Sequence, residues 1–285
     1  MAIRRIFVPI RGDGKGEKVL DHALVLARRF KAHIEAVHCR PSPEDLIPFG
    51  VAVPAVLREQ IAQSGNALAA AEEAKIRGEF EDYVASRKLT MADAGTSPTG
   101  KTTVSFAIER GKQAAVVSSR GRLADIIAVA RPDRERNIGR NTLEAALLNT
   151  GSLVLMCPPS KPGAIGEHVA IAWNGSREAA RAVALAHEVL REAKKVTVLT
   201  VAEAANDLTG GDLVAYLADH GVKATHVEIS GRGGIGKALL AAARGAGADT
   251  LLMGAYGSSR GRELVFGGVT QHVVDKAEMP VLLNH

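Results

Sequence analysis

The 285-residue sequence predicts an α/β fold made of two tandem doubly wound domains, each with a five-stranded parallel sheet. Three observations carry this. Short, near-continuous apolar runs such as Ile6–Ile10, Val196–Val201 and Thr250–Met253 alternate with helical patterns, as parallel strands covered on both faces do. Three blocks recur in the same order along the chain. Aromatics are only 4% of a chain that is 46% hydrophobic, so Ala, Val, Leu and Ile must build the core. That suits helices packed on a buried sheet.

The elements follow in order. Ile3–Ile10 reads as a strand rather than a signal peptide, because the apolar run is short and no small-residue cleavage site follows it. Next comes an amphipathic helix with Val19, Ala23, Leu26 and Phe30 on one face and Leu20, Leu24 and Ala27 beside them. Residues 40–101 form an insert that opens with Pro and Glu. A long Ala/Glu-rich helical pattern, Val56–Lys88, follows, then MADAGTSPTGKT, which reads as loop. The long helix either covers the sheet or projects toward a partner, and the sequence leaves both open.

The repeat becomes explicit in pairs. IFVPIRGDGKGEKVLDHALVLARRFKAHIEAVHC matches HVAIAWNGSREAARAVALAHEVLREAKKVTVLTV as strand, turn, helix, strand. RGRLADIIAVA matches RGAGADTLLMGA, so Asp125 recurs as Asp249, which suggests a structural role before the fourth strand. NTLEAALLNTGSLVLMCPP matches VTQHVVDKAEMPVLLNH. The boundary is PPSKPGAIGEH, Pro158–His168, a linker by its Pro, Gly and Lys content. Domain one is thus residues 1–158 and domain two 166–285. Strands in the second are expected near 168–173, 195–202, 223–229, 249–254 and 280–284.

Composition excludes some classes. No apolar run approaches the ~18 residues of a membrane span. Cys39 and Cys157 end apolar runs without metal spacing and read as small buried hydrophobes in a reducing compartment, which makes the cytoplasm the expected location. The net charge of +5 lies in residues 1–160, with 23 Lys and Arg against 18 Asp and Glu; residues 161–285 hold 13 of each. So dispersed an excess does not argue for nucleic acid. The histidines show neither H-x-x-x-H nor H-E-x-x-H spacing, and His272 reads as a surface residue. No Walker A sequence, no G-x-S-x-G elbow and no set of nucleophile, base and orienting group is present, so no catalytic residue is named. SSRGR occurs twice, at different places in the repeat. GRGGIG, Gly231–Gly236, fits a dinucleotide fingerprint, but it follows the third strand and no acid ends the next one. It reads as a turn.

The stretch MGAYGSSRGRELVFGGVT, Met253–Thr270, is the informative one. It leaves a strand and enters a helix at the end of the sheet where ligands sit. Gly254 and Gly257 fall in the turn, and Gly267 and Gly268 at the start of a helix expected over about Val269–Lys276. Glycine admits a ligand close to backbone N–H groups, and a helix N-terminus favours anions.

Gly254-x2-Gly257-x9-Gly267 resembles the nucleotide-binding signature of the universal stress protein family. Both copies resemble that family, so the whole chain apart from the insert looks like a tandem member. The resemblance implies an adenine nucleotide alpha hydrolase-like fold and a stress-response protein. It would bind ATP or another adenine nucleotide in the second domain, with Mg as a possible companion, and would act as sensor or regulator with little or no hydrolysis. It implies adenine near Ala172, Trp173, Asn174 and Val201. Phosphates would lie at Met253, Gly254, Tyr256, Gly257, Ser258, Arg260, Gly267, Gly268, Val269 and Thr270. In the family, edge strands pair antiparallel across a two-fold axis; here Leu153–Cys157 and Val281–Asn284 would pair within one chain as a pseudo-dimer. The insert helix offers a surface for a further homodimer. No nucleic acid or membrane partner is implied.

This sequence departs from the signature at Gly268, where the family has Ser or Thr, although Thr270 matches another hydroxylated position. Asn174 replaces the family's Asp, and Ser176 after it reads as a helix N-cap. In the first copy VARPD stands opposite MGAYG, with Ala130 and Asp133 in place of glycines. Asp133 is expected to repel phosphate, and Arg134, Arg136 and Arg140 to be either an anion site or a solvated loop. No ATP binding is expected through that loop. The alternative function, drawn from these departures, is a nucleotide-independent chaperone-like or protein-interaction module.

Overall fold

The computed structural model describes residues 2–10, 16–40, 54–93, 95, 100–136, 138–202, 208–257 and 268–285. The first half runs β1 (Arg5–Ile10), α1 (Gly16–Phe30), β2 (His33–Arg40), α2 (Ala55–Ser86), β3 (Thr90–Met91), β4 (Thr103–Arg110), α3 (Gln113–Arg120), β5 (Ile126–Ala130), α4 (Arg140–Asn149) and β6 (Leu153–Cys157). The second runs β7 (His168–Ala172), α5 (Arg177–Leu185), α6 (His187–Arg191), β8 (Lys195–Val201), α7 (Gly210–Asp219), β9 (Ala224–Ile229), α8 (Ile235–Gly245), β10 (Thr250–Gly254), α9 (Gly268–Lys276) and β11 (Val281–Asn284).

These strands form one sheet of eleven, ordered β3-β4-β2-β1-β5-β6-β11-β10-β7-β8-β9. Each half holds five long parallel strands in the same relative order. The two sheets fuse where β6 and β11 pair antiparallel, with Met156 opposite Val281, Leu155 opposite Leu282 and Val154 opposite Leu283. Burial explains the join: each of these six side chains is at most 1% exposed. A strand this apolar left at an open edge would template aggregation. The one departure from five strands per copy is β3, which adds two residues outside β4.

Two helical layers cover the sheet. Helices α1, α2, α5, α6 and α7 seal one face and α3, α4, α8 and α9 the other, over cores of Leu, Ile, Val and Ala. In α1 the expected face is buried from Val19 to Phe30. Each large aliphatic side chain so buried contributes about 1.5–3 kcal/mol.

The insert helix covers the sheet with its C-terminal part. Ile76, Phe80, Tyr83 and Val84 are buried against β2 and β4, while Val56, Leu57 and Leu68 are exposed. It therefore occupies the place that α7 takes beside β8 and β9. It is the ordinary crossover helix lengthened at its N-terminus, and not an added body. Its end is pinned on α1, where Arg87 pairs with Asp21 at 3.0 Å and Tyr83 Oη donates to Asp21 at 3.1 Å.

The recurring aspartates do the same work in both halves. Asp125 Oδ2 accepts from the backbone N–H of Arg4 and Arg5 at 2.7 and 2.8 Å. Asp249 accepts from Gly166 and His168, both at 2.7 Å. Each carboxylate ties the entrance of the fourth strand to that of the first. The segment read as a linker is itself packed: Ile165 is 1% exposed and its carbonyl accepts from Arg29 at 3.1 Å. Cys39 and Cys157 are buried free thiols, and burial pushes the Cys157 thiol up, away from the reactive thiolate. Among the described residues, no helix is long and apolar enough to cross a membrane.

Candidate functional site

In the second half the sheet order reverses between β7 and β10, since the chain moves outward to β8 and β9 on one side and to β11 on the other. A cavity of about 290 Å³ opens at the C-terminal ends of these strands. It is lined by Ala172, Trp173, Asn174, Ser176, Val201, Ile235, Leu239, Met253, Gly254, Tyr256, Gly257, Gly268, Val269 and Thr270. Every residue named from the sequence that lies within the described residues is in that lining; Ser258, Arg260 and Gly267 lie outside the described residues. Sequence reasoning missed Ile235 and Leu239 as lining, and it read Ser176 only as a cap. The signal for Ile235 was present in GRGGIG, and Leu239 follows it by one helical turn.

The cavity has an apolar floor and a polar mouth. Val201, Met253, Ala172, Leu239 and Trp173 are all at most 8% exposed. Trp173 is anchored by its indole Nε1, which donates to Leu208 O at 3.2 Å. At the mouth, Asn174 Oδ1 accepts from Ser176 N at 3.2 Å and from Ser176 Oγ at 2.7 Å. Ser176 Oγ in turn accepts from Ala179 N at 3.2 Å and caps α5. The Asn174 carbonyl oxygen is thus committed to the turn, while the residue itself is exposed.

The glycines divide into two kinds. A Cβ on Gly254 would lie 2.5 Å from Ala179 N and 2.6 Å from Glu178 C, and one on Gly257 would lie 2.6 Å from Glu178 Oε2. Both turn their bare side toward the first turn of α5. Their smallness admits a helix, which corrects the expectation that it admits a ligand. A Cβ on Gly268 would meet nothing within 4 Å among the described residues. Between the turn glycines, Tyr256 adopts φ 65°, and its ring meets His285 edge-on at 5.5 Å. Burial, with Glu144 of the first half nearby, pushes its phenol up, so it stays neutral.

Two helix N-termini converge on the mouth. Ile235 opens α8 and Gly268 opens α9, and both line the cavity. Gly236 makes this approach possible, because a Cβ there would lie 2.9 Å from His272 Cβ and 3.1 Å from Val269 O. Gly233 and Gly234, at φ 81° and 114°, form the turn before α8. GRGGIG is therefore a turn and a helix-crossing device. Neither helix carries an acid in its first turn. Each N-terminus contributes roughly half a positive charge with unpaired N–H groups. Among the described residues, no group of three or more His, Cys, Asp or Glu could hold a metal ion.

The first half differs at the corresponding place. Its turn after β5 closes on itself: Asp133 and Ile138 exchange backbone hydrogen bonds, and Asp133 Oδ1 accepts from Arg136 N at 3.2 Å. Asp133 thus shapes the turn, a role beyond the repulsion of phosphate expected from its charge. Arg134 pairs with Asp275 at 2.9 Å and Arg140 with Glu144 at 2.8 Å.

Comparison with known proteins agrees with this architecture. The model of the Universal stress protein family matches residues 212–285. The whole fold is similar to a universal stress protein from Archaeoglobus fulgidus DSM 4304, at 16% identity over 98% of this chain and 95% of that one, with a TM-score of 0.70. It is also similar to a functionally unknown protein from Pseudomonas aeruginosa PAO1, at 17% identity over 99% and 92% of the chains, TM-score 0.55. A putative universal stress protein from Pseudomonas aeruginosa UCBPP-PA14 matches at 16% over 99% and 93%, TM-score 0.54. No curated protein matches the chain. The family model thus matches the C-terminal segment, and the fold is similar to that of a universal stress protein.

Proposed function

We propose that the second half binds ATP or a related adenine nucleotide, and that the protein is a nucleotide-responsive sensor or regulator with little or no hydrolysis. One observation carries this: two helix N-termini without acidic residues converge on an apolar cavity walled by Trp173 and Val201. The adenine ring packs on that wall. The Asn174 amide nitrogen donates at the mouth, and the phosphates meet the N–H groups of Gly268, Val269 and Thr270. Mg would arrive on the phosphates and keep several of its waters, as it does in such sites. The first half, with Ala130 and Asp133 in the turn, binds no ATP through that loop.

Calorimetry with ATP, ADP and AMP on the full chain and on Gly268→Asp tests this. The substitution places a carboxylate at the N-terminus of α9 where a Cβ meets no atom of the described residues. Saturable ATP binding that disappears in the variant, with an unchanged melting temperature, is expected. Equal heats from both proteins, or none from the parent, would overturn the reading. A second reading, a nucleotide-independent interaction module, draws on an apolar cavity of about 310 Å³ behind Trp173, rimmed by the exposed Leu208 and Tyr216. Mass spectrometry of ligand carried through purification separates the two.

A further inference from the structure

A second cleft, of about 670 Å³, opens at the C-terminal ends of β5 and β6 and joins the two halves. Four segments wall it: the turn after β5, the segment after β6, the first turns of α1 and the last turn of α9. Nothing in the nucleotide reading uses it. Its lining holds five cations, Lys18, Arg131, Arg134, Arg136 and Lys276, against three carboxylates, Asp133, Glu135 and Asp275.

The contacts sort these charges. Arg134 is neutralised by Asp275. Arg131 donates to Ala277 O at 2.8 Å, which straps the turn to α9. Asp133 is engaged with the Arg136 backbone and Ile138, and so holds the turn in shape. Among the described residues, the side chains of Lys18, Arg136 and Lys276 have no hydrogen bond or ion pair. They come from three different elements, and all three are exposed. Glu135, next to Arg136 on the same turn, is the one carboxylate of the lining with no such contact among the described residues. The floor is apolar, with Val19, Cys157 and Pro158 buried.

We propose that this cleft binds a phosphorylated small molecule, with its phosphate held by Lys18, Arg136 and Lys276 and its body on the apolar floor. Separate cations on three walls suit a dianionic tetrahedral group, to which Arg donates through its fork and Lys as a point charge. The volume lies within the ~300–1,000 Å³ range of small-molecule sites. The concave form and the interspersed acids argue against a nucleic acid backbone, which needs a continuous basic stripe. The strap through Arg131 and Arg134 keeps the site assembled across both halves.

The test is calorimetry with inorganic pyrophosphate on the full-length Gly268→Asp protein, so that the α9 N-terminus is already closed to anions. Saturable, salt-sensitive binding is expected, weakened about tenfold or more by adding Arg136→Glu with Lys276→Glu, the loss of charged hydrogen bonds. Lys18→Glu, on a third wall, should weaken it as well and serves alone if the double reversal does not fold. No binding to Gly268→Asp, or binding that charge reversal leaves unchanged, would overturn the proposal. Neither result depends on whether ATP binds the other cavity.

Discussion

At the residue scale, the three described glycines of the loop have separate physical reasons, and their substitutions should rank accordingly. Gly254→Ala drives a Cβ into two backbone atoms of α5, which cannot swing aside. A loss of about 1–3 kcal/mol is expected, as for other overpacked sites. Gly257→Ala meets the end of the Glu178 side chain, which can shift, so the loss should be smaller. Gly268→Ala should leave the melting temperature nearly unchanged. Thermal denaturation of the three variants checks the order; a large loss at Gly268 would contradict it. Two histidines give a pH dependence. His22 and His33 are buried, and burial lowers both below the ordinary value of 6.5. His33 is held by Thr103 Oγ1 and Ser105 Oγ, both at 2.9 Å, and His22 Nδ1 lies 2.7 Å from Lys18 O. The unfolded chain binds protons more readily than the folded one, so stability is complete above 6.5 and falls as pH drops below it. Melting at pH 7.5 and 5.5 should show the decline, reduced in His33→Gln. A flat profile would count against the buried neutral rings.

At the scale of elements, the paired aspartates are the clearest device. Asp125→Ala and Asp249→Ala each remove two hydrogen bonds from backbone N–H groups, of which the Arg4 N–H is exposed and the Gly166 N–H keeps Thr250 Oγ1, so each should lower stability by about 1–2 kcal/mol, measured by denaturant titration. Equivalent losses in both would show that the repeat preserves energetics as well as pattern. Much of this scale was legible in the sequence. A continuous apolar run placed β10 at Thr250–Gly254 against an expectation of 249–254, because a strand buried on both faces cannot hide its composition. The insert helix was less legible. Its Ala/Glu pattern is the same whether the helix covers a sheet or projects, and only the contacts of Ile76, Phe80 and Tyr83 separate the two. The same holds at the site. A glycine in a sequence does not say which way its missing side chain would point, so the packing of α5 against Gly254 and Gly257 was invisible. Asp133 was legible as a charge but not as a turn-former, since its hydrogen bond to Arg136 needs the folded backbone.

For the whole molecule, the β6–β11 seam makes the halves one body. Asn284 Nδ2 donates across it to Ser152 O at 3.1 Å, and Arg131 and Arg134 hold α9 from the other half. A single calorimetric transition is expected, and Leu282→Asp should lower it as one. Two resolved transitions would show that the halves fold separately. The central claim is that the cavity of the second half receives an adenine nucleotide, and Trp173 reports on it directly. It is the only tryptophan of the chain and lies in that wall. Titration of the full chain with ATP, followed by tryptophan fluorescence, should give a saturable change that Gly268→Asp abolishes. An unchanged spectrum at saturating ATP, or the same change in the variant, would contradict the account.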